Sequence, residues 1–267
     1  LLHYKTFEKE DDREWVVFIH GAGGSSSIWY KQVKDFRENF NVLLVDLRGH
    51  GRSKTSLKTL KRYSFEAITK DVIEVLDDLK IKRAHFVGIS LGTIVIRELA
   101  EMQSDRVISL VMGGAIMKLN FRSKLLLKLG VWLKSVLPYM LLYRFFAFII
   151  MPKGNHKESR SLFIREAKKL YQKEFIRWFK LAAGLNAKLK FFWNNEIRIP
   201  TLYIMGAQDH MFLPSIQKLS QSHQYSTLQV VEDCGHVVNV EQPLIFNQRV
   251  LHFLNAPYQA LREKSTH

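Results

Sequence analysis

The sequence predicts an α/β domain: a mostly parallel sheet with helices on both faces, interrupted by one helical insertion. Three observations carry this. Short continuous apolar runs alternate with longer stretches of helical spacing, as expected of strands buried on both faces and the helices that cover them. The alternation stops after Gly113-Gly114 and resumes at Thr201. The stretch between is helical throughout and holds nearly all of the net charge.

The elements follow in order. Trp15-Val16-Val17-Phe18-Ile19 is a strand that runs into His20-Gly21-Ala22-Gly23-Gly24. Residues 28–39 form a helix, with Ser26 or Ser27 as its cap. Residues 42–45 are the next strand, ending at Asp46. Phe65, Ile68, Val72, Val75, Leu76 and Leu79 recur at helical spacing behind Ser64, a residue suited to cap them. Residues 84–87 are a third strand, leading into Gly88-Ile89-Ser90-Leu91-Gly92 and a helix over 93–102. Residues 107–112 are a fourth strand. After the insertion, strands at 201–205 and 227–231 precede a final helix at 244–254. Residues 1–116 and 199–267 thus form the core, and residues 117–198 a basic helical layer.

A chain of 267 residues with 47% hydrophobic content can bury a full single core. Its one cysteine, Cys234, excludes an internal disulfide framework and fits a reducing compartment. No charged segment followed by an apolar one opens the sequence, so the expected location is cytoplasmic. Residues 117–198 hold 18 Lys/Arg against 4 Glu, a net of +14 out of +15. The longest apolar stretch, 131–151, is interrupted by Lys134, Pro138 and Arg144; it reads as two helices broken near Pro138, not as a membrane span. Arg165, Lys169, Lys173, Arg177 and Lys180 recur every three or four residues and would share one helical face, with Glu166 and Glu174 offsetting part of their repulsion. That face is either simply solvated or touches anionic lipid headgroups at the inner membrane surface. Charge alone would permit nucleic-acid binding, but no motif supports it and no nucleic-acid partner is expected.

The chemistry gathers where strands end, which is where ligands sit in parallel sheets. A serine hydroxyl needs a base to become nucleophilic. In Gly88-Ile89-Ser90-Leu91-Gly92 the small residues let strand and helix approach around Ser90, on a sharp strained turn. An oxyanion needs two N–H donors: Leu91 follows the nucleophile, and Ala22 lies in the glycine loop after the first strand. Ten histidines compete for the base. His236, in Asp233-Cys234-Gly235-His236, follows a strand; His20 and His50 sit in loops and read as structural, and His85 as packed. Asp209, 27 residues before His236, is the acid that orients the imidazole, with Asp233 as its rival.

These segments, together with Asp46-Leu47-Arg48-Gly49-His50-Gly51-Arg52-Ser53 and Gly206-Ala207-Gln208-Asp209, resemble the α/β-hydrolase superfamily over most of the chain. The resemblance implies an α/β-hydrolase fold with a Ser90–Asp209–His236 triad, in the order nucleophile, acid, base. It implies that the Asp46–Ser53 loop is architectural, and that residues 117–198 form a helical cap inserted before the last two strands, roofing the site. Leu125, Leu126, Leu129, Trp132, Leu133, Leu137, Leu141, Phe145, Phe146, Phe163, Phe175, Trp178 and Phe179 are among its apolar residues, so the expected substrate is a small-to-medium lipophilic carboxylic ester. No metal or organic cofactor is called for. Relatives of the same fold imply two alternatives: a carbon–carbon bond hydrolase or lyase, whose pocket carries polar or cationic groups for a carboxylate-bearing substrate, and a small-molecule receptor or stress-signalling module that retains the triad.

Overall fold

The computed structural model describes residues 1–9, 12–53, 63–119, 125, 129, 132 and 138–258. Its centre is a sheet of seven strands: β1 (Tyr4–Phe7), β2 (Trp15–Ile19), β3 (Asn41–Val45), β4 (Ala84–Ile89), β5 (Val107–Gly113), β6 (Thr201–Gly206) and β7 (Ser226–Val231). Their spatial order is β1-β3-β2-β4-β5-β6-β7. All neighbours pair in parallel except β1, which pairs antiparallel with β3 through Tyr4↔Val45 to Phe7↔Val42.

The side-chain period of two sends alternate residues of one strand into two different layers. Val16 and Phe18 of β2, with Val42 and Leu44 of β3, pack against Trp29, Phe36, Phe246 and Phe253. Val17 and Ile19, with Leu43 and Val45, pack against Phe65, Ile68, Val72 and Ile94 on the other side. The first layer is covered by α1 (Tyr30–Phe36) and the last helix, and the second by α2 (Phe65–Asp78) and α3 (Leu91–Met102). From β2 the chain moves outward to β3, then returns to lay β4 on the opposite side of β2. This reversal opens a crevice at the carboxyl ends of β2 and β4, which lie side by side through Ile19↔Gly88.

Between β5 and β6 the described elements are helices: α4 (Tyr139–Ile150), α5 (Lys157–Ala167), α6 (Gln172–Ala183) and α7 (Asn186–Asn194). α8 (Leu213–Ser222) follows β6, and the short α9 (Val238–Glu241) and α10 (Pro243–Asn255) follow β7. Pro138 stands at the N-terminus of α4, where its fixed φ is tolerated, so the expected break falls at a helix start. The helix expected before it, with Leu126, Leu133 and Leu137, lies outside the described residues. Among the described residues no helix is long and apolar enough to cross a membrane.

Three local expectations need correction. The cap at Ser26 or Ser27 is instead Ser25, whose side chain accepts from Ser27 N–H at the head of a 3-10 turn, Ser26–Trp29, that precedes α1. α3 begins at Leu91, directly after Ser90, and not at Thr93. The five basic residues from Arg165 to Lys180 do not share one helix: the chain leaves α5 at Lys168 and re-enters helix after the extended Tyr171, which buries Leu170 and turns Phe175, Trp178 and Phe179 onto the core.

Candidate active site

Ser90 closes β4 with φ 54° and ψ −123°, a backbone conformation costing a non-glycine residue about 1–3 kcal/mol. The surroundings enforce it. Ser90 N–H donates to Gly113 O of β5 at 2.9 Å, and Thr93 Oγ1 donates back to Ser90 O at 2.6 Å. The turn is possible because Gly92 passes against the end of β2: a β-carbon there would overlap Ile19 O. Ser90 is thereby thrust out of the sheet, half-buried at the head of α3.

His236 arrives from the loop after β7 and Asp209 from the loop after β6. Ser90 Oγ donates to His236 Nε2 at 2.9 Å, and His236 Nδ1–H donates to Asp209 Oδ2 at 2.8 Å. Asp209 is 1% exposed and His236 4%. The other oxygen of Asp209 accepts Phe212 N–H at 3.2 Å, so this carboxylate both turns the chain toward α8 and faces the imidazole. The rival Asp233 contacts Gln208 Nε2 at 3.4 Å. Asp105 lies in a turn before β5, at the other end of the sheet.

The Gly21–Gly24 loop runs beside Ser90, with a β-carbon at Gly21 reaching Ser90 Cβ at 3.0 Å and Leu91 N at 3.6 Å. Gly23 N–H is taken by His50 Nε2 at 2.8 Å, and Gly24 N–H by Gly21 O at 3.1 Å. Ala22 N–H and Leu91 N–H have no acceptor among the described residues. The structure therefore brings all five sequence-predicted site residues, Ala22, Ser90, Leu91, Asp209 and His236, to one crevice.

The loop from Asp46 to Ser53 braces this arrangement. Asp46 accepts Ser26 N–H at 2.7 Å and Arg52 N–H at 2.9 Å. Burial works to raise its pKa, but these N–H donors outweigh burial and hold it below the usual carboxylate range. Arg48 grips Asp71 of α2 with two bonds of 2.6 and 2.7 Å, both side chains almost fully buried. His20 Nε2 accepts Leu47 N–H at 3.0 Å, and its Nδ1–H donates to Gly21 O at 2.7 Å. Burial lowers both imidazoles, His50 to about 3 with the neighbouring His20 adding to the effect, so each ring is neutral and accepts from backbone.

Several residues at the site have roles that the sequence reading does not assign. Tyr143 of α4 donates to Ala22 O at 3.3 Å, and Gly23 (φ 77°) leaves the space its hydroxyl occupies. Burial, with the nearby Glu166 adding to it, raises the Tyr143 pKa and keeps the phenol a donor. Glu166 accepts Ser25 Oγ at 2.9 Å, Glu174 accepts the Tyr63 hydroxyl, and Trp178 Nε1 donates to Arg48 O at 3.1 Å. These bonds seat α5 and α6 on the core loops. Both glutamate side chains are buried, and each also pairs with a cation of the basic row as expected, Glu166 with Lys169 at 2.6 Å and Glu174 with Arg177 at 2.8 Å. A signal existed: Glu166 lies four residues from Leu162 and from Leu170, and Glu174 four from Trp178, which puts both on apolar helix faces. Glu241 supports the histidine loop. Its Oε2 accepts Gly235 N–H at 2.6 Å, and its Oε1 accepts Val237 N–H at 3.3 Å and Ser159 Oγ at 2.8 Å.

Above Ser90 lies a cavity of about 200 Å³. Core residues Ala22, Ser90, Leu91 and His236 form its floor, and Tyr143, Phe146, Phe163, Phe175 and Trp178 part of its roof. Its lining holds no Lys or Arg among the described residues. Among these residues no three His, Cys, Asp or Glu cluster to hold a metal.

The sequence profile described as "Alpha/beta hydrolase family" matches residues 16–249. The chain is 28% identical over 256 residues to 3-oxoadipate enol-lactonase 2 of Acinetobacter baylyi, covering 93% of this chain and 91% of that one. It is 28% identical over 270 residues to a putative carbamate hydrolase, RutD, of the same organism, covering 95% and 98%. Among solved structures, a hydrolase from Oleispira antarctica superposes with a TM-score of 0.84 at 19% identity, covering 96% of this chain and 95% of that one. The enol-lactonase from Burkholderia xenovorans does so with 0.78 at 22% identity, covering 95% and 96%. At these identities the structural likeness concerns the fold.

Proposed function

The chain belongs to the alpha/beta hydrolase family, and from that premise we propose that it hydrolyses carboxylic esters of small-to-medium lipophilic acyl groups through Ser90. The observation that carries the proposal is the unbroken hydrogen-bond chain Ser90–His236–Asp209 opening on an apolar cavity. In this reading Ser90 Oγ attacks the acyl carbon while His236 Nε2 takes its proton. Asp209 holds the imidazole in the Nδ1–H tautomer and stabilises the imidazolium. Ala22 and Leu91 N–H groups receive the oxyanion; preorganised donors of this kind contribute about 3–4 kcal/mol each. His236 returns the proton to the leaving alcohol, and water releases the acyl group by the reverse steps.

Residues 117–198 act in this reading as a cap that excludes water and holds the acyl chain. The enol-lactone and carbamate in the relatives' names are carbonyl substrates, open to the same attack. Among the described residues the cavity lining holds no Lys or Arg, which suits a neutral acyl group better than the carboxylate-bearing substrates of a carbon–carbon hydrolase or lyase. A panel of p-nitrophenyl esters of rising acyl length tests the proposal. Turnover should peak at short-to-medium length and vanish in Ser90→Ala; no turnover at any length by the folded wild type would refute it.

A further inference from the structure

α4 carries apolar residues on two opposite faces. Tyr143, Phe146 and Ile150 line the cavity. Leu141, Phe145 and Phe148 point the other way and are 52%, 49% and 55% exposed. At 3.6 residues per turn each trio spans an arc of about 60°, and the two arcs are centred on opposite sides of the helix. A helix apolar all round is ordinarily buried all round. Scattered exposed apolar residues need no explanation, but a contiguous stripe does. Leu125, Leu129 and Trp132 repeat the same spacing and are also exposed.

The exposed charge on α4 and α5 is mainly cationic, and the exposed Glu158 of α5 is paired with Lys31 at 2.7 Å. α4 contains Arg144 beside the stripe and no Asp or Glu. Arg160 of α5 stands 4.5 Å from the Phe148 ring centroid. Glu166 and Glu174 are buried and each pairs with one cation, Lys169 at 2.6 Å and Arg177 at 2.8 Å, which leaves the other cations of these helices uncompensated by them. Arg144, Lys157, Arg165, Lys168, Lys180 and Lys190 are exposed and make no ion pair among the described residues. Amphipathic cation-rich faces with aromatic residues complement an interface that is apolar beneath and anionic above.

We propose that the outer face of α4 docks on the surface of an anionic lipid bilayer. Leu141, Phe145 and Phe148 enter the boundary between headgroups and acyl chains, and the surrounding cations bind the headgroups. The cavity then lies behind the inner face of the same helix, about 10 Å from the lipid. The docking surface does not depend on the ester-hydrolase reading, since none of these three residues lines the cavity.

The test is co-sedimentation of the full chain with phosphatidylglycerol-containing vesicles and with vesicles of phosphatidylcholine alone. Soluble-ester turnover and thermal melting are followed on the same samples. The wild type should bind the anionic vesicles, more weakly as salt rises. The triple variant Leu141→Ser/Phe145→Ser/Phe148→Ser should bind about tenfold more weakly or worse, with its melting and soluble-ester turnover matching wild type. Arg144→Glu should narrow the preference for anionic over neutral vesicles. Binding without ester turnover would sink the catalytic reading and leave the docking intact. Absence of vesicle binding, or equal binding by the triple variant, overturns the docking. A dimer that the triple substitution dissolves, with no vesicle binding, also overturns it and assigns the stripe to a second copy of the chain.

Discussion

Glu241 offers the sharpest probe of how the fold holds His236. Its side chain is 2% exposed, and it accepts the N–H groups on either side of that histidine, from Gly235 at 2.6 Å and Val237 at 3.3 Å. Through Ser159 Oγ it also ties the histidine loop to α5. In Glu241→Gln the amide oxygen can keep Gly235, and the Ser159 hydroxyl can turn to accept the new NH₂, but Val237 N–H then loses its acceptor. One lost bond and the lost charge assistance amount to about 1.5–3 kcal/mol. Glu241→Ala strands both buried N–H groups, at about 1–3 kcal/mol apiece. A displacement of the imidazole by about 1 Å would cost on the order of a hundredfold in rate. Urea denaturation should therefore rank wild type above Gln above Ala. Ester kinetics should show kcat falling in that order with KM little changed, because Glu241 does not line the cavity. Stabilities within about 0.5 kcal/mol of wild type in both variants, with kcat unchanged, would refute the role assigned to this carboxylate.

Three further outcomes follow from the same contacts. Gly23→Ala drives a β-carbon into the Tyr143 hydroxyl at a left-handed φ of 77°, costing about 1–3 kcal/mol; adding Tyr143→Leu should recover most of it, and additive losses in a denaturation cycle would exclude the clash. Asp71→Asn leaves the Arg48 guanidinium buried without its counter-charge and should destabilise by about 3–5 kcal/mol, whereas a loss typical of an exposed ion pair would contradict the buried grip. The fold keeps His50 neutral down to about pH 3, while an unfolded imidazole titrates near about 6.5. Below that value the unfolded chain binds the extra proton, so stability is full above it and falls as pH drops. His50→Gln, which can still accept Gly23 N–H, should flatten this slope; identical slopes would show that His50 is not its source.

The crevice was legible in the sequence because its parts lie on strand ends, and strand ends are marked by abrupt changes of pattern. Gly88 to Gly92 follows the strand-like run Ala84-His85-Phe86-Val87, and Asp209 follows a strand while Asp233 shares the loop of His236; Asp209 contacts His236 at 2.8 Å. β1 was not legible: four half-buried residues on an antiparallel edge show neither a continuous apolar run nor a clean alternation. The break between α5 and α6 lacked Pro or Gly to announce it, and is made by burial of Leu170. Tyr143 and Glu241 escaped notice for a related reason. Each acts through contacts with residues distant in the chain or through backbone N–H groups, and neither leaves a spacing to read. The Ser90 helix start was displaced by two residues because the positive φ of Ser90 lets the helix begin immediately after it.

The central claim is that Ser90 is a nucleophile activated by His236 and Asp209. A fluorophosphonate probe followed by peptide mapping tests it most directly. A single adduct is expected on the peptide that contains Ser90, absent from Ser90→Ala and much slower to form in His236→Ala. An adduct on any other residue, or none on the folded wild-type chain, would contradict it.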